Sequence, residues 1–291
     1  MWNATRNGLA EKAVNSGHRA MGAPGLIYCR WGPRPGSTQF NNLDAFAEAY
    51  THLNGSLGVI VTNWVPGRYL GDALWDGFAY AAVTLRDGSA AARHTAFRRF
   101  VEKHYAAEWS NTWDDVFTTI YDTAPYSPAC CAPWMQPTLI APWHSEEELA
   151  ATTKAGVIDS PPYTRLRSQL VFCARTVRKN LEDFAAFALA VEYLEHLFWR
   201  STSVAREAQG KISGQTAKLL IQTIAARDQE LLERLDADWD RVRPADSPAK
   251  SQPLFGSSPQ DQLLFRFRQA AAFSAQLAAD PEHFSLLLQQ P

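Results

Sequence analysis

Apolar residues recur along this chain in two ways: as short unbroken runs near the start, and as long three- and four-residue periods further on. Gly58 to Thr62, inside LGVIVTNWVPGRY, is a β-branched run without helical period, and it predicts a strand buried on both faces, as in a parallel sheet covered by helices. GLIYCRW at Gly25–Trp31 is a second such run. Helical spacing precedes each: Ala10, Ala13, Val14 and Ala20 within Leu9–Met21, then Leu43, Phe46, Ala47 and Tyr50 within Asn42–Leu53. The order helix, strand, helix, strand, with a crossover of βαβ length, predicts two parallel strands. No third run downstream reads as a buried strand, since Thr138–Ala141 is bounded by Pro137 and Pro142.

The rest of the pattern is helical. Ala73–Leu85 and Ala91–Ala107 are predicted helices, the second with Phe97, Phe100, Val101 and Tyr105 on its apolar side and Arg93, Arg98, Arg99 and Lys103 elsewhere. Asn111 is placed to cap a helix over Thr112–Tyr121. Pro125 to Trp143 is Pro-rich and reads as a domain boundary, or as a loop packed along a cleft. From Tyr163, apolar residues from Leu166 to Phe198 recur at intervals of three and four, predicting one helix of about 55 Å at about 1.5 Å per residue. Gln215–Trp239 and Gln260–Ala278 follow as further helices. Asp236, Asp238 and Asp240 sit where the helix dipole disfavours them, so a cation such as Arg241 or Arg243 is expected beside them. The expected organisation is an αβ segment over residues 1–124, a connector over 125–162 and a helical bundle over 163–291.

Composition changes this picture little. A formal charge of −2 gives no electrostatic footprint for nucleic acid or an anionic membrane, and no apolar run approaches a transmembrane span. Cys29, Cys130, Cys131 and Cys173 match no zinc spacing, so free thiols in a reducing compartment are expected. Met1–Ala10 lacks the apolar core of a signal peptide, which leaves the cytoplasm as the default location. Tryptophan is the outlier, with ten in 291 residues. Indole faces stack on sugar rings, although most tryptophans in any protein are core residues.

Candidate chemistry lies where the strands end. Each predicted strand finishes in a Trp beside polar residues, and parallel strands put those ends on one side. Arg30, Trp31, Arg34, Asn63, Trp64 and Arg68 are therefore expected around one cleft, the competing reading being ordinary core strands capped by Trp. Asp72 and Asp76 follow within reach, although Asp76 equally suits the first turn of a helix. Other constellations fail. There is no nucleophile elbow, no locally supported Ser, His and Asp trio and no Gly-rich phosphate loop. Glu192 and His196 share a helix face as two metal ligands would, but no matching pair stands on a second helix, and a solvated polar face is the favoured reading. No cofactor or metal is implied.

GVIVTNWVPGRYLGDALWDGFAYAA, with GLIYCRWGPRPG before it, resembles the last two strands of the catalytic barrel in glycoside hydrolase family 20, the β-N-acetylhexosaminidases. The stretches LDADWDRVRPADSPAK and PQDQLLFRFRQAAA resemble the helical tail that follows this barrel in some bacterial members. The resemblance implies an α/β fold, part of a (β/α)8 TIM barrel, followed by a mainly α bundle in a predominantly helical chain. It also implies an N-acetylhexosaminide pocket with Trp31 and Trp64 as walls and Arg68, Tyr69 and Asp72 as hydroxyl contacts. In that family a neighbouring Asp-Glu pair does the chemistry, with the substrate's acetamido group as nucleophile. Asp-Glu occurs nowhere in this sequence, so no catalytic residue is expected here. Such a fragment would need a partner for its open edges, either the missing N-terminal barrel half or a second copy. The alternative is a non-enzymatic helical protein that acts through interaction or oligomerisation.

Overall fold

The computed structural model describes residues 12, 14–17, 19–22, 47, 50, 53–54, 56–61, 75–87, 93–120, 142–155, 163–210, 214–242 and 263–289. Two short strands, β1 (Ala20–Gly22) and β2 (Ser56–Val59), are followed by α1 (Trp75–Asp87), α2 (Arg93–His104), α3 (Asn111–Thr118) and α4 (Glu146–Ala155). Then come α5 (Tyr163–Ala174), α6 (Leu181–Ala208), α7 (Gly214–Val242), α8 (Leu263–Ala279) and α9 (Pro281–Gln289). Contacts divide the chain into two units. One comprises Met1–Trp64, Asp72–Ala129 and Ser168–Phe187, and the other Val65–Gly71, Cys130–Arg167 and Ala188–Pro291.

The partial TIM barrel is overturned. β1 and β2 do pair in parallel, Ala20 with Ser56 and Gly22 with Val59, but they have three and four residues and form a two-stranded sheet. Among the described residues there is no further strand and no barrel. The physical reason shows in β2 itself. A barrel strand is covered on both faces, whereas Leu57 and Ile60 are about half exposed, as is Met21 in β1. The apolar run is real, but Ser56, Gly58 and Val59 are only half-buried. Gly25–Trp31 lies outside the described residues, and β1 precedes it.

The first unit is held by aromatic rings. Phe97 of α2 stacks on Phe117 of α3 at 4.4 Å and on Tyr80 of α1 at 5.8 Å, while Trp113 stacks on Tyr105 at 5.7 Å. Phe184 meets both Tyr105 and Trp113 edge-on. Ser110 caps α3, one residue before the expected Asn111, its hydroxyl accepting from the Trp113 amide. At the end of α2 the Ala107 amide donates back to the Val101 carbonyl across Ala106 in the left-handed region (φ 48°), with alanine at a helix end where glycine is usual.

The single long helix expected from Tyr163 is two. Asn180 adopts φ 51°, and the amides of Arg178 and Lys179 donate to the Tyr105 carbonyl instead of continuing a helical ladder. The Asn180 side chain adds a bond to the His104 carbonyl. Tertiary partners for these amides, together with Leu181 left largely exposed, end α5 and restart the chain as α6. The apolar period crosses this break unchanged, which is why it does not mark it.

In the second unit, α6 from Ala188 onward is buried on nearly every side. A helix buried all round is the centre of its bundle. α7 contributes the stripe Ala217, Ile221, Ile224, Leu231, Leu235 and Trp239, and α8 and α9 close the core with Phe267, Leu277, Phe284 and Leu288. Helix α4 lies within the stretch read as connector and adds Leu149 to this core. The acidic end of α7 is paired as expected, Asp238 with Arg241 at 2.9 Å, and Asp236 with Arg268 at 2.9 Å.

Candidate functional site

Arg30, Trp31, Asn63, Trp64, Arg68, Tyr69 and Asp72, the residues of the predicted sugar pocket, all lie outside the described residues. Of the tryptophans within them, Trp113, Trp143 and Trp239 are wholly buried core residues. Among the described residues, convergent polar chemistry stands in each unit.

In the second unit, polar residues stand at core positions of three helices. Asp228 falls between Ile224 and Leu231 on the α7 stripe, Ser274 between Ala271 and Leu277 on α8, and His196 and Arg200 one turn apart on α6. All four are fully buried. His196 Nε2 lies 2.6 Å from Asp228 Oδ1, the Ser274 hydroxyl donates to Asp228 Oδ2 at 2.7 Å, and Arg200 Nη1 is 3.3 Å from that same oxygen. The last is an ion pair by proximity, because Nη1 lacks hydrogen-bond geometry to any acceptor. The Arg200 guanidinium also lies flat over the Trp143 ring at 3.8 Å and donates to the Trp143 carbonyl at 3.4 Å. Burial pushes the His196 imidazole below its ordinary pKa, against the pull of Asp228, and so favours the neutral imidazole.

This trio of Ser, His and Asp is not a nucleophilic triad. There the imidazole stands between hydroxyl and carboxylate and takes the hydroxyl proton. Here the carboxylate stands in the middle, the serine proton already points at it, and all three are sealed from solvent. Nor does His196 belong to a solvated face or a metal pair with Glu192. His196 is fully buried, and Glu192 is held by Arg234 at 2.9 Å and Arg167 at 3.2 Å. Among the described residues no group of His, Cys, Asp and Glu could hold a metal ion, and no helix is long and apolar enough to cross a membrane. The network was detectable in sequence as a gap, because the α7 stripe skips from Ile224 to Leu231 with Asp228 at the missing turn.

In the first unit, α1 and α2 run antiparallel, with Trp75 against His104 at one end and Tyr80 against Phe97 further along. They flank a shallow, open groove of about 370 Å³. Its apolar floor is Ala79 and Val83 from α1 and Ala96 and Phe100 from α2, and Arg86, Arg99, Lys103 and His104 line its edges. These charges are not equivalent. Arg86 is clamped bidentately by Asp87. His104 is fixed at both nitrogens, Nε2 to Asp183 at 2.7 Å and Nδ1 to the Asn180 amide at 3.2 Å. An amide nitrogen only donates, so Nδ1 accepts and the ring proton sits on Nε2. Arg99 and Lys103, both exposed, make no ion pair among the described residues, though Arg99 is close enough to Asp87 to help lower its pKa. Sequence placed them on the polar side of α2 without giving them a role. The available signal was their i, i+4 like-charge spacing, which costs helix stability unless something outside the helix answers it.

Asp76 lies in the first turn of α1, as its alternative reading had it, but it faces inward and is fully buried. Burial raises its carboxyl to about 7, while the amides of Gly77 and Asp76 pull the other way without completing a hydrogen bond, and both oxygens lack a partner. The Tyr105 hydroxyl is pushed up by burial and by the fields of Asp76 and Asp183. Cys173 is buried, its thiol raised to about 12, and is a packing residue.

Comparison with protein-family models, curated proteins and solved structures finds no match for this chain.

Proposed function

We propose that this protein is a non-enzymatic helical interaction module, and that the α1–α2 groove is its binding surface. The observation that carries the reading is the groove's construction: an apolar floor between two antiparallel helices, with the exposed cations Arg99 and Lys103 along one side. Helix grooves of this kind bind partners by burying an apolar face and aligning charge at the rim. The glycosidase reading depended on a barrel to hold its pocket, and with that barrel overturned the interaction reading is the one carried forward.

A photo-reactive phenylalanine at position 83, compared with the same residue at exposed position 222 of α7, tests it. The reading expects a defined adduct from position 83 that persists when the captured partner is purified and mixed with the chain alone, and that weakens when Arg99 and Lys103 are replaced by Gln. Equal capture from both positions would overturn it. So would turnover of a chromogenic N-acetylglucosaminide by the purified chain.

A further inference from the structure

We infer that the occupant of the α1–α2 groove is an acidic amphipathic helix, a step that rests on the interaction reading above. The shape argues for a helix. Ala79, Val83 and Arg86 lie at i, i+4 and i+7 on α1, and Ala96, Phe100 and Lys103 at the same spacing on α2. Two antiparallel ridges with four-residue periods leave between them the channel that receives the ridge of a third helix. The small side chain of half-buried Ala79 lets that helix approach closely, while Ala96 and Phe100 are buried in the floor. The groove is bounded by helices and has no sheet edge, so an added strand would find no backbone to pair with. A channel seven residues long spans about 10 Å, roughly two helical turns, and accepts apolar anchors at i, i+3 or i+4, and i+7.

The charge argues for acidity. Of the groove's edge groups, Arg86 is neutralised by Asp87 and His104 is committed to Asp183, which leaves Arg99 and Lys103. One helical turn apart on α2, they match two carboxylates one turn apart on the occupant. Asp87, whose carboxylate feels Arg99, is already bonded to Arg86. The remaining acid of α2, Glu102, is taken by Arg98. The occupant therefore carries a narrow apolar stripe flanked on one side by Glu or Asp at i, i+4 spacing, and its affinity falls as salt rises.

The test is fluorescence anisotropy on the full-length chain with a labelled helical peptide of about 14 residues, the length at which isolated helices become persistent. Its Leu stripe has i, i+3, i+4, i+7 spacing and Glu lies along one flank. Three comparison probes are a peptide with Lys for every Glu, a scramble of the same composition without the stripe, and vesicles of phosphatidylserine. The inference expects binding of the acidic amphipathic peptide alone, weakened about tenfold or more by R99E/K103E and by raising salt from about 0.05 to 0.3 M. Lys218→Gln, at an exposed cation of α7, should leave it unchanged. Both reversed residues are exposed, and far-ultraviolet circular dichroism verifies that the variant keeps its helices. Equal binding of the scramble, preference for the Lys peptide, binding of vesicles in place of the peptide, or indifference to R99E/K103E would each overturn the inference. A groove adduct at position 83 with a partner lacking such a helix would end this inference and leave the interaction reading standing. Absence of any groove adduct would end both.

Discussion

Asp76→Asn isolates the energetic consequence of burying an ionisable group without a partner. The wild-type carboxyl is fully buried and titrates at about 7 instead of 3.8. Above pH 3.8 the unfolded chain releases this proton while the folded protein holds it until about pH 7. The unfolded state therefore binds fewer protons across that window, and stability falls as pH rises through it, levelling off above. At about 1.4 kcal/mol per pH unit the whole window is worth ~4 kcal/mol, of which roughly 3 falls between pH 5 and pH 8. Asparagine has the same shape, also leaves polar atoms unpaired, and does not titrate. Urea unfolding followed by circular dichroism should show wild type and variant close together at pH 5, with the variant ahead by roughly 3 kcal/mol more at pH 8. Parallel stability curves across this range would refute the reasoning, since they would mean that Asp76 is hydrated or paired in solution.

Three further outcomes follow from the same geometry. Asp228→Ala leaves Arg200 charged, buried and without its carboxylate, and should cost about 3–5 kcal/mol by urea unfolding, whereas Asp228→Leu combined with Arg200→Met should recover most of that loss. Ala106→Gly relieves a left-handed alanine at the end of α2 and should raise stability by about 1 kcal/mol in the same assay. Cys173 should stay unmodified by iodoacetamide at pH 8 in the folded protein and react once urea is added, as read by peptide mass mapping.

The parts of the fold legible in sequence are those set by local periodicity. Helices α1, α2, α7 and α8 begin and end within a few residues of the expected bounds, because each carries an apolar stripe that packs against a neighbour. What periodicity cannot report is what a tertiary partner does. The Arg175–Asn180 break is made by the Tyr105 carbonyl, and the partial exposure of β2 is likewise a matter of tertiary packing. The apolar density of this run therefore read as a barrel strand although Leu57 and Ile60 stay about half exposed. The groove was obscured for a similar reason. Arg99 and Lys103 look like any solvated helix face until Arg86, Arg98, His104 and their acids are seen paired with one another. Asp228 is the opposite case, because its place between Ile224 and Leu231 on an apolar stripe is a local signal, although the residue was not singled out from sequence.

The central claim is that α1 and α2 together form a partner-binding surface. Hydrogen–deuterium exchange of the full chain, alone and with the acidic amphipathic peptide bound, tests it most directly. The account predicts slowed exchange confined to Ala79–Arg86 and Ala96–Lys103, abolished in the R99E/K103E variant. Protection that falls on α7 to α9, or that survives the charge reversal, would contradict it.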